Sequence, residues 1–164
     1  MERHFQKELD SIMTFLIKLG SVVEENISFS LQALLEQDEV LAQKVFENEG
    51  RINTLEIEID NAIIDVLALQ QPVAKDLRFI IAAQKINNDL ERIGDHAVNI
   101  AESDMHLLKL KPIDSLLELP KMAVTTKLIL HQALDSFINM DTKLARIVLK
   151  TDDQIDELNR RITS

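Results

Sequence analysis

The sequence predicts an all-α protein, an antiparallel three-helix bundle followed by a partial second bundle. Three observations predict it. Glycine and proline, which break helices, number only 3 each in 164 residues. Good helix formers abound, and aromatic residues make up only 4% of the chain, with no Trp and no Tyr. Apolar residues recur at spacings of three and four through long segments, which is the period of one helix face.

The first segment runs from about Phe5 to Leu35. Its apolar positions are Phe5, Leu9, Ile12, Phe15 and Leu16, Leu19, Val22 and Val23, Ile27, Leu31 and Leu34. Gly20 lies inside it and is expected to loosen or bend it. The chain turns near Gln37, and Asp38 has the right chemistry to cap the next helix. That second helix spans about Glu39 to Leu69, with Leu41, Val45, Ile52, Leu55, Ile59 and Val66 marking its buried seam. Gln70-Gln71-Pro72 ends it, and Pro72 suits the first turn of a third helix, where no proline N–H is needed.

The third helix runs from about Val73 to Leu107. Phe79, Ala83, Ile86, Leu90, Ile93, Ala97 and Ile100 alternate steps of four and three, the seam of a packed bundle. Pro112 and Pro120 bracket a linker. A fourth helix starts near Leu119 to Lys121 and ends near Met140. Asp141 caps a fifth, from about Thr142 to Ile162. Each of the first three helices is roughly 30 residues, or about 45 Å, long. Long helices on short turns pack as antiparallel neighbours. The expected organisation is a complete bundle over residues 1–110 and an incomplete second one over 111–164.

The two parts resemble each other. At an offset of 141 − 38 = 103, Leu31, Asp38, Leu41, Ala42, Val45, Ile52, Leu55 and Ile59 meet Leu134, Asp141, Leu144, Ala145, Val148, Ile155, Leu158 and Ile162. Shared helical patterning explains some of these identities, but not a capping Asp at the same turn. The second unit therefore has its first two helices and lacks a third. Its fifth helix is expected to present an uncovered seam along Leu144, Val148, Ile155, Leu158 and Ile162, a surface that asks for a partner. Two readings stand: a chain that is a fragment, or a naturally short one that completes itself as a homo-oligomer, a homodimer being the simplest case.

Composition narrows the function. The formal net charge is −10, which speaks against a nucleic-acid surface and suits cations or basic partner patches. With no cysteine there is no disulfide framework and no thiolate metal site. The N-terminus Met1-Glu2-Arg3-His4-Phe5 has no signal-peptide apolar region. No apolar run approaches the roughly 18 residues of a membrane span. The expectation is a soluble cytoplasmic protein with no direct membrane insertion. Few glycines, no phosphate loop and no Ser–His pattern leave nucleophilic catalysis without support.

One run stands out: Asp89-Leu90-Glu91-Arg92-Ile93-Gly94-Asp95-His96-Ala97-Val98-Asn99-Ile100-Ala101-Glu102. Its spacing stacks Glu91, Asp95, Asn99 and Glu102 on one helix face. Glu56 and Asp60 form a second carboxylate pair on the preceding helix, and antiparallel packing could bring the pairs together. Oxygen ligands without sulfur suit cations such as iron, manganese, zinc, calcium or magnesium. On spacing alone, a hydrated acidic face and a metal site both stand. A ferritin-like oxidase needs Glu-x-x-His pairs, and none of His4, His96, His106 or His131 follows a glutamate at that spacing. His96 reads as a surface or interhelical histidine, and Arg92 as a structural ion-pair partner of a neighbour such as Asp89.

Leu67-Ala68-Leu69-Gln70-Gln71-Pro72-Val73-Ala74, with Asp76-Leu77-Arg78, and the Leu90-Glu91-Arg92-Ile93-Gly94-Asp95-His96-Ala97 run resemble the PhoU family of phosphate-signalling regulators. Ala133-Leu134-Asp135-Ser136-Phe137, Asp141 and Asp152 to Asp156 fall where the family's second repeat would begin. The resemblance covers nearly the whole chain. It implies two related three-helix bundles, each with a carboxylate motif that binds metal clusters of iron or zinc on the bundle surface. Here that motif falls on Glu91 and Asp95, and with a weaker match on Glu56 and Asp60. The resemblance further implies a regulator, not an enzyme, that represses the phosphate-starvation response. Its partners would be the ATPase of the phosphate ABC transporter and a membrane sensor histidine kinase. The chain departs from the pattern in lacking the second motif-bearing helix, and Glu56 and Asp60 map to Asn159 and Thr163 in the second unit. A carboxylate-rich metal-storage bundle and a purely structural oligomerisation module are the alternatives.

Overall fold

A computed structural model describes residues 2–107 and 118–163. Five helices account for nearly all of them: α1 Glu2–Glu36, α2 Glu39–Gln70, α3 Ala74–Leu107, α4 Leu119–Ile138 and α5 Thr142–Thr163. The all-α expectation holds, and each boundary falls within about three residues of its predicted place. Pro112 lies outside the described residues.

α1, α2 and α3 pack on one another as an antiparallel bundle. Ile12, Leu16, Leu19 and Val23 of α1, Ile52 and Ile59 of α2, and Ile80 and Leu90 of α3 are buried at its centre. Buried amides fix the register. Asn26 Nδ2 of α1 donates to the Val45 carbonyl of α2 at 3.2 Å, and Asn48 Nδ2 of α2 donates to Glu25 at 2.9 Å. Each such bond ties a rung of one helix to a defined rung of its neighbour.

The seam of α3 differs from the expected one. The fully buried line is Ile80, Ala83, Asn87, Leu90, Gly94, Ala97 and Ala101. Phe79, Ile86, Ile93 and Ile100 are only partly buried. They belong to a second apolar line, on the side where α4 lies: Ile93 and Ile100 share a hollow of about 330 Å³ with Leu119, Met122 and Thr126 of α4. Phe79 stacks on Phe137 of α4, with ring centres 5.0 Å apart and planes 11° from parallel. A single sequence line had merged the two faces, because α3 packs its deep seam on α1 and α2 and meets α4 with the side chains next to it.

Pro72 does not open α3. Pro72 and Val73 lie outside the helix, and Ala74 at its start has φ 50°. Gln71, φ 45°, ends α2 in the left-handed region. α1 is continuous through Gly20. The role of this glycine is close approach: a Cβ built there would overlap the Leu134 side chain of α4. Next to this contact His131 of α4 reaches Glu24 of α1 at 3.1 Å and Asp135 of its own helix at 3.4 Å.

The repeat is visible as geometry. Gln37 (φ 54°) and Met140 (φ 53°) both end a helix in the left-handed conformation. The Asp38 N–H then donates to the Ala33 carbonyl at 3.1 Å, and the Asp141 N–H to the Ser136 carbonyl at 2.8 Å. These are the six-to-one bonds of a Schellman turn. Asp38 Oδ1 accepts from the Val40 and Leu41 N–H groups, and Asp141 Oδ1 from those of Lys143 and Leu144. Every partner in one turn lies 103 residues from its counterpart in the other.

α5 packs against α4 alone among the described helices. Its seam is nevertheless not bare, which corrects the sequence expectation. Leu158 is buried, and Leu144, Val148, Ile155 and Ile162 are half-buried against α4. Their counterparts Val45, Ile52 and Ile59 are fully buried, because α1 and α3 enclose α2 from two sides.

Candidate functional site

Glu56 and Asp60 lie one turn apart on α2, and Glu91 and Asp95 one turn apart on α3. Two amides of α3 hold the helices face to face at this level. Asn87 Nδ2 donates to the Glu56 carbonyl at 3.0 Å and to Asp60 Oδ1 at 3.3 Å. Gln84 Nε2 also donates to Asp60 Oδ1. Glu91 stands one helical turn beyond Asn87, which turns it toward Glu56 across the groove.

The electrostatics show that the pairs feel each other. Partial burial is the main cause that raises the Glu56 carboxyl above its ordinary value, followed by the charge of Asp60 and a hydrogen bond between the two. The Glu91 carboxyl is also raised, first by burial, then by Asp95, then by Glu56 from the opposite helix; Arg92 pulls the other way. A raised carboxyl is one whose charged form lacks compensation, and both a proton and a cation supply it. Arg92 is committed elsewhere, to Asp89 at 3.6 Å on its own helix.

The four expected residues thus line one groove, as two pairs across two helices. As placed, no three His, Cys, Asp or Glu side chains among the described residues stand close enough together to hold an ion. The donor set is oxygen only, which suits a hard or borderline cation. Asn99 and Glu102 continue the stripe on exposed positions. His96 is exposed and lines two hollows, one with Leu119 and Met122 of α4 and one with Leu34 of α1, Asn99 and Asp104.

Asn87 and Asp104 are the polar residues that periodicity passed over. Asn87 is fully buried, and its Oδ1 has no hydrogen-bond partner. Asp104 is 3% exposed with neither oxygen bonded, and burial pushes its carboxyl up to about 7. The signal was present for both: each occupies a seam position of α3, where an apolar residue is the rule.

Comparison with known proteins matches this architecture. The family model described as the PhoU domain matches residues 16–103 and again 119–164. The second match opens 103 residues after the first, the offset of the repeated turn. A phosphate-specific transport system accessory protein PhoU homolog of Clostridium acetobutylicum is 36% identical over 159 residues, covering 96% of this chain and 73% of that protein. The phosphate-specific transport system accessory protein PhoU of Escherichia coli is 33% identical over 153 residues, covering 93% of this chain and 64% of that protein. The crystal structure of PhoU from Pseudomonas aeruginosa superposes with a TM-score of 0.93 at 32% identity, over 97% of this chain and 77% of that one. Sequence, repeat and helical architecture agree, and the chain belongs to the PhoU family.

Proposed function

We propose that this chain is a regulatory adaptor of phosphate transport rather than an enzyme. It represses the phosphate-starvation response by coupling the ATPase of a phosphate ABC transporter to a sensor histidine kinase, and it works in the cytoplasm. The names of its relatives, accessory proteins of a phosphate-specific transport system, support the transport half of this reading. No helix among the described residues is long and apolar enough to cross a membrane, which fits a protein that acts by docking.

The observation that carries the site is the pair of facing carboxylates held in register by Asn87 and Gln84. Glu91 and Asp95, with Glu56 and Asp60, are proposed as ligands of iron or zinc. The metal would neutralise the groove and tie α2 to α3. We also read residues 1–110 as one unit and 111–164 as belonging to a second, on the strength of the duplicated turn.

Two measurements test this. Elemental analysis of the purified protein should find iron or zinc, reduced several-fold by Glu91→Gln with Asp95→Asn. In a strain lacking its own copy, the chain should restore repression of a phosphate-starvation reporter at high phosphate. Absence of metal would refute the site, and failure to repress would refute the adaptor role.

A further inference from the structure

The α2–α3 groove has a second half. Gln84 and Asp60 are bonded across it. One turn beyond Asp60 on α2 comes Ile64, and three residues before Gln84 on α3 comes Ile81. Antiparallel packing puts these two side by side on the outer flank. Leu77 lies one further turn along α3 on the same face. All three are exposed: Ile64 by 59%, Ile81 by 45% and Leu77 by 38%. Leu69 and Val73, at the tip of the hairpin, are more exposed still. On the other side of α3, Phe79 stacks on Phe137 of α4 and Ile93 and Ile100 line a hollow with it, but no helix among the described residues packs over this groove.

The groove is therefore divided along its length. Its hairpin end is apolar, and its middle carries Glu56, Asp60, Glu91 and Asp95. None of these four carboxylates is in an ion pair among the described residues. Isolated exposed apolar side chains are ordinary, but a row of them continuous with carboxylates outside any ion pair is the pattern of a binding surface. A second copy of the chain is a poor occupant, since two molecules of net charge −10 repel. The complement of this surface is a helix with an apolar stripe bordered by lysine and arginine, laid into the groove.

We propose that, when its carboxylates hold no metal, the α2–α3 groove docks a basic amphipathic helix of a partner protein, so that metal and helix compete for the same four side chains. The apolar stripe of that helix sits on Ile64, Leu77 and Ile81, and its cationic flank reaches the carboxylates. The inference names a docking surface for the adaptor role and rests on it for its biological meaning. Its test uses neither phosphate nor repression, so the two can fail separately.

The probe is a fluorescently labelled 18-residue Leu/Lys peptide of helical period, with a Leu/Glu peptide of the same pattern as control. Binding to the whole chain is followed by anisotropy in chelator, so that the carboxylates carry no metal. The Leu/Lys peptide should bind and the Leu/Glu peptide should not. Ile64→Lys with Ile81→Lys should weaken binding by about tenfold or more, as expected for central contacts of an interface. Glu91→Gln with Asp95→Asn should weaken it and flatten its salt dependence. Val124→Lys with Leu128→Lys, exposed on α4, should leave it unchanged. Circular dichroism checks that each variant is folded. The proposal is overturned if either groove variant binds as the wild type does, if the Leu/Glu peptide binds equally well, or if only the α4 variant loses binding. It is also overturned if the chain sediments as a dimer that Ile64→Lys with Ile81→Lys dissolves, because the occupant is then a second copy.

Discussion

Asn87 stands four residues after Ala83 and three before Leu90, where the seam calls for an apolar side chain, and uses its amide to grip α2. Asn87→Ala removes both bonds from a buried interface and should destabilise the protein by about 1–3 kcal/mol in urea denaturation. Asn87→Ala should also loosen the spacing of the carboxylate pairs, which elemental analysis would read as lower metal content. Asp104 poses a different problem, a buried carboxyl with neither oxygen bonded and its value raised to about 7. Its folded value lies above its unfolded one, so between the two the native state holds the extra proton. Stability therefore falls as pH rises from about 4 through about 7, the reverse of a salt-bridged carboxylate. Glu56 and Glu91 are raised too and slope the same way, so the difference between variants isolates Asp104. Asp104→Asn should match the wild type near pH 4 and exceed it in stability at pH 8. Equal stability of the two at pH 8 would contradict this account. The carboxylate stripe was legible in the sequence because side chains four apart on a helix must stack. What faces the stripe was not legible, since it depends on how two helices slide past each other, and that is set by Asn87 and Gln84.

At the level of elements, caps and periods were legible and the faces of a shared helix were not. Asp38 and Asp141 both cap as their chemistry implies. Of the apolar line of α3, Ala83, Leu90 and Ala97 lie on the deep seam, whereas Phe79, Ile93 and Ile100 sit one position off it and meet α4, whose place the sequence does not reveal. Gly20 shows the same limit: its close approach to α4 cannot be read until the helix that packs on it is known. Gly20→Ala would normally raise helix stability by about 1 kcal/mol. Here the new methyl meets Leu134, so the gain should be missing in the wild-type background and should appear when Leu134 is replaced by Ala. A double-mutant cycle measures this, and full additivity of the two substitutions would show that α4 does not press on Gly20. The left-handed residues give a simpler prediction. Met140 is exposed at φ 53°, where a side chain costs about 1 kcal/mol and glycine does not. Met140→Gly should raise the urea midpoint, whereas Asp141→Ala should lower stability by about 1 kcal/mol.

The whole molecule is unevenly held. α1, α2 and α3 each pack on two or more neighbours, α4 on α1 and α5, and α5 on α4 alone among the described helices. Local opening follows local packing. Amide hydrogen exchange should thus be slowest in the middles of α1 to α3 and fastest in α5, with α4 between. Equal protection in α5 and α2 would contradict this ordering. The repeat was legible from matched residues, and its first unit was predicted with the right helices in the right order. That the second unit leans on the first through Gly20 and Leu134 was not legible, because long-range docking leaves no periodic mark. The duplicated turn also bears on how the chain reaches this state. Each turn joins two helices through bonds between residues no more than five apart, so the loop-closure entropy is small and the hairpin assembles from local pieces. A chain with two copies of such a turn has two starting points for folding, one at Asp38 and one at Asp141. The contact that seats α4 on α1, Leu134 against Gly20, joins residues 114 positions apart, so it closes a far larger loop than either turn does.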